Sequence, residues 1–351
     1  MRLASFELET KSQWGDTMYW MVTNRNVDPN EKAFGDDFSK LSFWQNASDK
    51  VDIFDNWKTM KEDDFRQGLV AIADTFPDPN QTPSEDQKHF NIFVHGFDTT
   101  WTSAVQRYGA IVNNLFSGPQ SLGLCVLFTW PSKGSVAGYL PDRSEARRSA
   151  DDFAEVLSSL YDWMAGKQAL AARNSAEACK AATSIIAHSM GNYVVENAMN
   201  VAWTRKNRPL LMSLINQLVM VAADVDNDMF RAGDAVEHGD GEGIANLSYR
   251  VTAMYSGRDS VLGASAGLKH FGKRRLGRSG LDRTCPVPDN VWDIDCSTLL
   301  DPKLSGLDVH RAYFAEPKCY ALMRDLLRGI DRSVLLGREN APAALPRQQS
   351  T

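Results

Sequence analysis

The sequence lacks several features that define large classes of proteins. No apolar run approaches the ~18 residues that a membrane-spanning helix needs, and no two cysteines form a CxxC pair. Basic residues do not predominate either, because the formal net charge is −6. We therefore expect no membrane partner, no zinc site built on cysteine pairs and no nucleic-acid partner.

Cysteine is scarce, and its distribution bears on the redox environment. The five cysteines are Cys125, Cys179, Cys285, Cys296 and Cys319. An odd number without paired spacing fits reduced thiols better than a disulfide framework. The first ten residues carry two glutamates and no continuous apolar segment, so they do not resemble a signal peptide. We expect a cytoplasmic protein that needs neither a metal nor another cofactor.

Length and composition predict a large folded core. Of the 351 residues, 43% are apolar and 23% are charged, which is typical of globular proteins. A proline-rich, polar segment over 77–88 predicts a surface linker. We expect an N-terminal extension over 1–85, a core domain over 86–335 and a disordered tail over 336–351.

The extension is expected to add edge strands to the fold. Short apolar stretches over 18–23 and 51–54 predict two early strands. The segment between them, over 25–38, is rich in aspartate and asparagine, which favours a loop.

After the linker, short apolar segments alternate with segments of helical periodicity. The predicted strands cover 91–94, 124–128, 183–187, 214–223, 250–256 and 291–294. Apolar strands separated by helices of 12 or more residues indicate a mostly parallel sheet with helices on both faces. We therefore predict an α/β fold, in which functional residues gather beyond the carboxyl ends of the strands.

The strongest functional motif follows the predicted strand 183–187. There the chain reads Ala187-His188-Ser189-Met190-Gly191, and a helix-like segment begins at once. This is the pattern of a nucleophile elbow, a sharp strand-to-helix turn that exposes a serine hydroxyl at the top of a sheet. Small residues two positions before and after the serine avoid collisions with neighbouring backbone. We predict Ser189 as the nucleophile.

A serine nucleophile needs a base, and in this kind of site the base comes last along the chain. Three histidines follow Ser189. His238 lies in a hydrophilic run, and His270 lies in the basic stretch 269–278, which we interpret as a solvated loop. His310 follows the last predicted strand, so we predict it as the base.

The base needs a carboxylate that orients its imidazole. Asp259 follows the penultimate predicted strand, 250–256, which is where such an acid normally lies. We predict Asp259 as the acid. Asp224 and Asp226, which end the strand 214–223, remain alternatives.

Acyl transfer also needs two backbone N–H groups that stabilise the oxyanion. One comes from the residue after the nucleophile, Met190. The other is expected from Phe97, in the His-Gly-Phe sequence that ends the strand 91–94. The aromatic residues Trp101, Trp130 and Tyr139 either pack in the core or line a substrate pocket, and we carry them as pocket candidates.

These residues together resemble the α/β-hydrolase superfamily, and within it a bacterial group known as α/β hydrolases of unknown function. The resemblance covers roughly residues 18–320. The segments that carry it are Thr23-Asn24-Arg25, Val94-His95-Gly96-Phe97, Trp130-Pro131-Ser132-Lys133-Gly134-Ser135 with Tyr139, Asp142 and Arg143, Ala187 to Gly191, Ala222 to Asp226, and Tyr255-Ser256-Gly257-Arg258-Asp259. The resemblance implies serine hydrolase chemistry and does not supply a substrate.

The functional hypothesis is a carboxylesterase-like serine hydrolase acting on a small-molecule ester or related acyl bond. An amidase, lactonase, thioesterase or acyltransferase would use the same three side chains, because the acyl-enzyme is common to all of them. A non-catalytic binding protein that has kept the fold is a further alternative, since a fold does not guarantee chemistry. The sequence predicts no oligomeric state.

Overall fold

The computed structural model describes residues 17–133, 139–205, 213–231, 240–269 and 272–339. The strands are β1 Tyr19–Asp28, β2 Ala33–Asn46, β3 Trp57–Met60, β4 Lys88–Val94, β5 Gly123–Thr129, β6 Ala181–His188, β7 Ile215–Val221, β8 Ser248–Tyr255 and β9 Val291–Asp295. The helices are α1 Glu62–Ala73, α2 Trp101–Leu115, α3 Tyr139–Ala171, α4 Gly191–Arg205, α5 Glu242–Leu247, α6 Ser260–Lys269, α7 Leu276–Ser279, α8 Leu307–Arg311, α9 Pro317–Leu327 and α10 Arg332–Glu339.

The nine strands form one sheet in the order β3-β2-β1-β5-β4-β6-β7-β8-β9. Across the sheet from β1 to β9 every pairing is parallel, whereas β2 and β3 join as an antiparallel edge. The predicted mostly parallel α/β fold is therefore confirmed. Within the described ranges we find no helix with the length and hydrophobicity of a membrane span.

The sheet separates two hydrophobic cores. Consecutive strand residues alternate between them, as the two-residue period of a strand requires. Trp20 and Ile92 belong to the core that contains residues of α1, α3 and α4. Met21 and Phe93 belong to the core that contains residues of α2 and α9. Both faces are therefore covered by helices, which explains the continuous apolar runs of the central strands.

The early part of the chain differs from the sequence prediction. The segment 25–38 is not a loop, because β1 and β2 pair across it as an antiparallel hairpin. Its polar composition is explained by exposure, because much of β2 is only half-buried. Residues 33–42 of β2 pair with β1 on one side and lie outside the pairing with β3 on the other. The predicted strand 51–54 is also wrong. Val51 lies in a turn, and a 3-10 helix covers Phe54–Asn56.

Other sequence interpretations fall partly or wholly outside the described residues. His238, His270 and the tail residues 340–351 are among those that the structure does not describe. The start of the predicted disordered tail, from 336, is instead helical, because α10 continues to Glu339.

The register of the central strands places their carboxyl ends side by side. Val94 of β4 pairs with Ala187 of β6, and His188 pairs with Val221 of β7. Val221 in turn pairs with Met254 of β8. The segments that follow these strands therefore lie together at one edge of the sheet, where sites of α/β proteins form.

Candidate active site

Ser189 lies at the turn between β6 and α4, and its backbone has a φ of 51°. Hydrogen bonds from two directions hold this left-handed conformation. The Ser189 N–H donates to the carbonyl of Val221 at 3.0 Å, and the Ser189 carbonyl accepts from the N–H of Asp224 at 3.1 Å. The side-chain amide of Asn192 also donates to the Ser189 carbonyl, at 3.1 Å. The elbow is thus fixed from β7 and from α4.

Two glycines allow the loop after β4 to approach this turn. A Cβ on Gly96 would lie 2.6 Å from the Cβ of Ser189 and 2.9 Å from the carbonyl oxygen of His188. A Cβ on Gly191 would overlap the carbonyl oxygen of His95. Backbone packing therefore requires glycine both at Gly191 of the elbow motif and at Gly96 of the loop after β4.

Ser189, His310 and Asp259 lie in one hydrogen-bonded series. His310 Nε2 is 2.9 Å from Ser189 Oγ, and His310 Nδ1 is 2.6 Å from Asp259 Oδ2. Asp259 follows β8 and His310 lies on α8, so the series joins three distant parts of the chain. The exposed fractions of these residues are 3%, 5% and 0% in the order named. Such a buried series can transfer a proton from the hydroxyl to the imidazole.

The alternative acids contact other partners. Asp224 accepts hydrogen bonds from Arg275 Nε at 2.8 Å and from the Tyr139 hydroxyl at 2.7 Å. Asp226 forms ion pairs with Arg275 and Lys273. Asp259 is the carboxylate that reaches the imidazole of His310. Asp224 and Asp226 instead pair with Arg275, and the N–H of Asp224 donates to the carbonyl of Ser189 in the elbow.

Arg275 also corrects the interpretation of the stretch 269–278 as a solvated loop. Its side chain is fully buried, and α7 begins at the next residue. A buried guanidinium needs carboxylate and carbonyl partners to offset its desolvation. Arg275 finds them in Asp224 and Asp226. No local pattern in the sequence marks these contacts, because 49 and 51 residues separate the partners.

The two oxyanion candidates, Met190 and Phe97, lie on two different chain segments that reach Ser189. Met190 follows the nucleophile immediately and precedes α4, whose first N–H groups have no partner within the helix. Phe97 follows Gly96 in the loop that contacts Ser189, and its ring packs edge-on against Tyr139 at 5.3 Å. Both backbone segments are therefore next to the serine side chain.

A buried network of hydrogen bonds holds this loop. Arg25 donates to the carbonyl of Thr99 at 2.8 Å and to the hydroxyl of Thr129 at 3.0 Å. The hydroxyl of Thr129 lies 2.9 Å from Nε2 of His95. The same nitrogen accepts from the N–H of Trp130 at 3.1 Å. Burial holds the pKa of His95 well below its usual value, and nearby Arg25 adds to this effect.

The tryptophan-proline-serine segment extends the network to α3. Ser132 Oγ donates to Asp142 at 2.6 Å and accepts from the N–H of Thr99 at 3.3 Å. Asp142 also accepts from the N–H of Lys133 at 3.0 Å. Burial raises the pKa of Asp142. This segment, which carries much of the family resemblance, therefore fixes the loop that contains Phe97.

The structure places the pocket candidates Trp101 and Trp130 in tightly packed parts of the fold. Trp130 is fully buried, stacks on His95 and donates its indole N–H to the His95 carbonyl. Trp101 is 4% exposed and packs against Phe34. Large aromatic rings gain most by burial in a core, and here that leaves no surface for a ligand on Trp130 and almost none on Trp101. Tyr139 is also buried, but it contacts Phe97 and Asp224 beside the site.

The sequence motifs do not identify three residues that lie beside the site. Asn192 braces the elbow, Arg275 pairs with Asp224, and Arg107 lies 3.3 Å from Nδ1 of His188. Of these, Asn192 alone has a position that could have drawn attention, three residues after the serine. Among the described residues, no group of three or more His, Cys, Asp or Glu side chains is placed to hold a metal ion.

Comparison with known proteins supplies the family. Residues 79–285 match the model of a family described as alpha/beta hydrolase of unknown function (DUF900). Comparison with curated protein sequences finds no match.

Several solved structures are similar at low sequence identity. The peroxisomal alpha-beta-hydrolase Lpx1 from Saccharomyces cerevisiae is 9% identical, with 97% of this chain and 94% of that chain covered and a TM-score of 0.39. Aspergillus fumigatus lipase B is 13% identical, with 76% and 57% covered and a TM-score of 0.35. An esterase from Pyrobaculum calidifontis is 9% identical, with 70% and 77% covered and a TM-score of 0.35. Because the family model matches more than half of the 351 residues, the chain belongs to this family of α/β hydrolases.

Proposed function

We propose that the chain is a serine hydrolase that cleaves an ester or a related acyl bond of a small molecule through an acyl-enzyme. The observation that carries the proposal is the series Asp259–His310–Ser189, with heavy-atom distances of 2.6 and 2.9 Å. A neutral serine hydroxyl is a weak nucleophile, and an adjacent, oriented imidazole makes it reactive. Neither a metal nor an organic cofactor takes part in the proposed reaction.

In the first half of the reaction, Ser189 Oγ attacks the acyl carbonyl carbon while His310 Nε2 takes the hydroxyl proton. Asp259 holds the Nδ1–H of the imidazole and stabilises the imidazolium that forms. The N–H groups of Met190 and Phe97 hold the negative oxygen of the tetrahedral intermediate. His310 then gives its proton to the leaving alcohol, and the acyl group stays on Ser189.

In the second half, water replaces the alcohol. His310 takes a proton from the water molecule as its oxygen attacks the acyl carbon. The tetrahedral intermediate collapses, the proton returns to Ser189 Oγ, and the carboxylic acid leaves. Each step uses the same base and the same oxyanion donors, so one site serves both halves.

The proposal is tested by hydrolysis of p-nitrophenyl esters of increasing acyl chain length. We expect the Ser189→Ala variant to lose turnover, because it removes the attacking atom; in a well-studied serine protease such a loss is roughly 10⁶-fold. Ser158→Ala, on α3, serves as the control, because its hydroxyl donates to the carbonyl of Ala154 within the same helix. Unchanged activity of Ser189→Ala would contradict the proposal.

The same assay, run beside matching p-nitroanilides, distinguishes the bond type. The proposal expects esters to be cleaved much faster than anilides of the same acyl group. Faster cleavage of the anilides would instead identify an amidase that uses the same three residues. The acyl chain length that gives the highest kcat/KM reports the size of the acyl pocket.

We also propose a cytoplasmic location. All five cysteines are free thiols in the structure, and three of them, Cys125, Cys296 and Cys319, are buried. Reduced thiols of this kind are usual where disulfides are kept reduced. Fractionation of cells that produce the protein tests this, and recovery outside the cytoplasm would contradict it.

A further inference from the structure

His188 immediately precedes the nucleophile, but its side chain does not face the reacting atoms. Its Nε2 lies 3.1 Å from the backbone carbonyl oxygen of His310. The two imidazole rings are 5.0 Å apart at an angle of 45°. His188 is 2% exposed. Because the buried His188 ring contacts the backbone of His310, it can restrict the position of the His310 imidazole.

The His310 carbonyl and Arg107 together determine which nitrogen of His188 carries the proton. A terminal nitrogen of its guanidinium lies 3.3 Å from His188 Nδ1. A guanidinium donates hydrogen bonds and cannot accept them. Nδ1 is therefore the acceptor, and the proton of the neutral ring is on Nε2. From there it is donated to the carbonyl of His310.

The charges around His188 keep the ring neutral. Burial holds its pKa well below the usual value, and Arg107 from α2 and His310 and Arg311 from α8 add to this effect. Phe314, which packs edge-on against the ring at 5.3 Å, carries no charge. A neutral His188 can donate from Nε2 to the carbonyl of His310 and accept from Arg107 at Nδ1. It also avoids a second cation beside the imidazolium that forms on His310 in the proposed reaction.

Arg107 is itself held in place. It is half-buried on α2, and its guanidinium lies 5.7 Å from the ring centroid of Phe314. Burial lowers its pKa to about 10, with a further contribution from Arg311, so it remains a cation near neutral pH. The contact therefore persists under the conditions of an assay.

We propose that Arg107 and His188 are positioning residues that act through the main-chain carbonyl of His310. They set the place of the imidazole relative to Ser189 and Asp259 without touching substrate. The inference rests on the proposed function, because it assumes that His310 is the base. Displacing a reacting group by about 1 Å can reduce the rate by roughly 10²-fold.

The test compares variants that remove or retain the donor at His188. His188→Leu removes the hydrogen bond to the carbonyl, whereas the side-chain amide of His188→Gln can still donate one. Arg107→Met removes the group that fixes the tautomer. His89→Leu is the matched control for a buried histidine outside the site. Arg324→Met is the matched control for an arginine that joins α9 to the end of α2.

The first measurement does not depend on activity. In ¹⁵N NMR spectra of the full chain at pH 7, we expect His188 to be protonated on Nε2 alone. The slowly exchanging Nδ1–H signal of His310 should be present in the wild type, in His188→Gln and in both controls. It should weaken or broaden in His188→Leu and Arg107→Met. A His188 protonated on Nδ1, or an unchanged His310 signal in both of the last two variants, would overturn the proposal.

The second measurement is ester hydrolysis as a function of pH. We expect His188→Leu and Arg107→Met to lose about 10- to 100-fold in kcat with little change in KM, and His188→Gln to recover most of that loss. Equal losses in kcat for the variants and their controls would contradict the positioning role. If the wild type hydrolyses no ester at all, the proposed function fails, while the NMR result still decides whether the contact positions His310.

Discussion

At the scale of single residues, the backbone of Ser189 has a conformation that non-glycine residues rarely adopt. Its φ of 51° costs of order 1–3 kcal/mol and persists only when the surroundings impose it. The bonds from Asn192, from Asp224 and to Val221 supply that restraint. The cost is consistent with a functional turn, since it presents the hydroxyl to His310 rather than to the core.

Glu196 provides a prediction at the same scale. This buried residue lies one turn after Tyr193 on α4, and burial together with Asp240 raises its pKa to about 8, against the opposing effect of Arg143 and Arg275. Between its ordinary pKa of 4.5 and about 8, the folded chain holds a proton that the unfolded chain has lost. Stability therefore falls as the pH rises through this window.

We expect Glu196→Gln to remove this pH dependence. At pH 4 the variant and the wild type should have similar free energies of unfolding. At pH 8.5 the variant should be more stable, by about 4 to 5 kcal/mol. Urea unfolding at several pH values measures the difference, and the exposed Glu85→Gln is the control. Parallel stability curves for wild type and Glu196→Gln would contradict the prediction.

At the scale of elements, the site depends on how closely the loop between β4 and α2 approaches the elbow. Gly96→Ala would bring a methyl group to 2.6 Å from the Cβ of Ser189. Since real Cβ atoms do not approach this closely, the loop must move and carry Phe97 with it. Removing one oxyanion donor costs about 10²- to 10³-fold in kcat in a well-studied protease.

We therefore expect Gly96→Ala to lower kcat by about 10²-fold or more. The Gly166→Ala variant is the control, because a Cβ there would meet no side chain and no backbone outside its own stretch of α3 within 4 Å. Ester hydrolysis together with circular dichroism separates lost catalysis from lost fold. Full activity in Gly96→Ala would show that the loop does not contribute to the oxyanion site.

The strands differ in how well the sequence predicts them. Buried parallel strands are apolar on both faces, so the predicted positions of β4 to β8 lie close to the observed ones. The hairpin of β1 and β2 is not predicted, because a half-exposed strand such as β2 has the polar composition of a loop. The stretch around Val51 is wrongly predicted as a strand. Val51 is apolar and buried, as a strand residue would be, but it lies in a turn.

At the scale of the whole molecule, the site forms because three segments that are distant in the sequence meet at one edge of the sheet. The order Ser189, Asp259, His310 along successive strand ends can be predicted from sequence, because parallel strands bring their carboxyl ends to one edge. The structure brings these side chains into contact, and their catalytic roles stay predictions. The contacts of Arg107 with His188 and of Arg275 with Asp224 cannot be predicted, because nothing local marks a pair separated by 81 or 51 residues.

The most direct test of the central claim is covalent labelling of the intact protein with a fluorophosphonate, read by mass spectrometry. Such a reagent phosphonylates a serine oxygen only when that oxygen is activated as a nucleophile. We predict one adduct for each chain, on the peptide that contains Ser189, and a much slower reaction in His310→Gln. An unlabelled wild-type chain, or an adduct that persists in Ser189→Ala, would contradict the account.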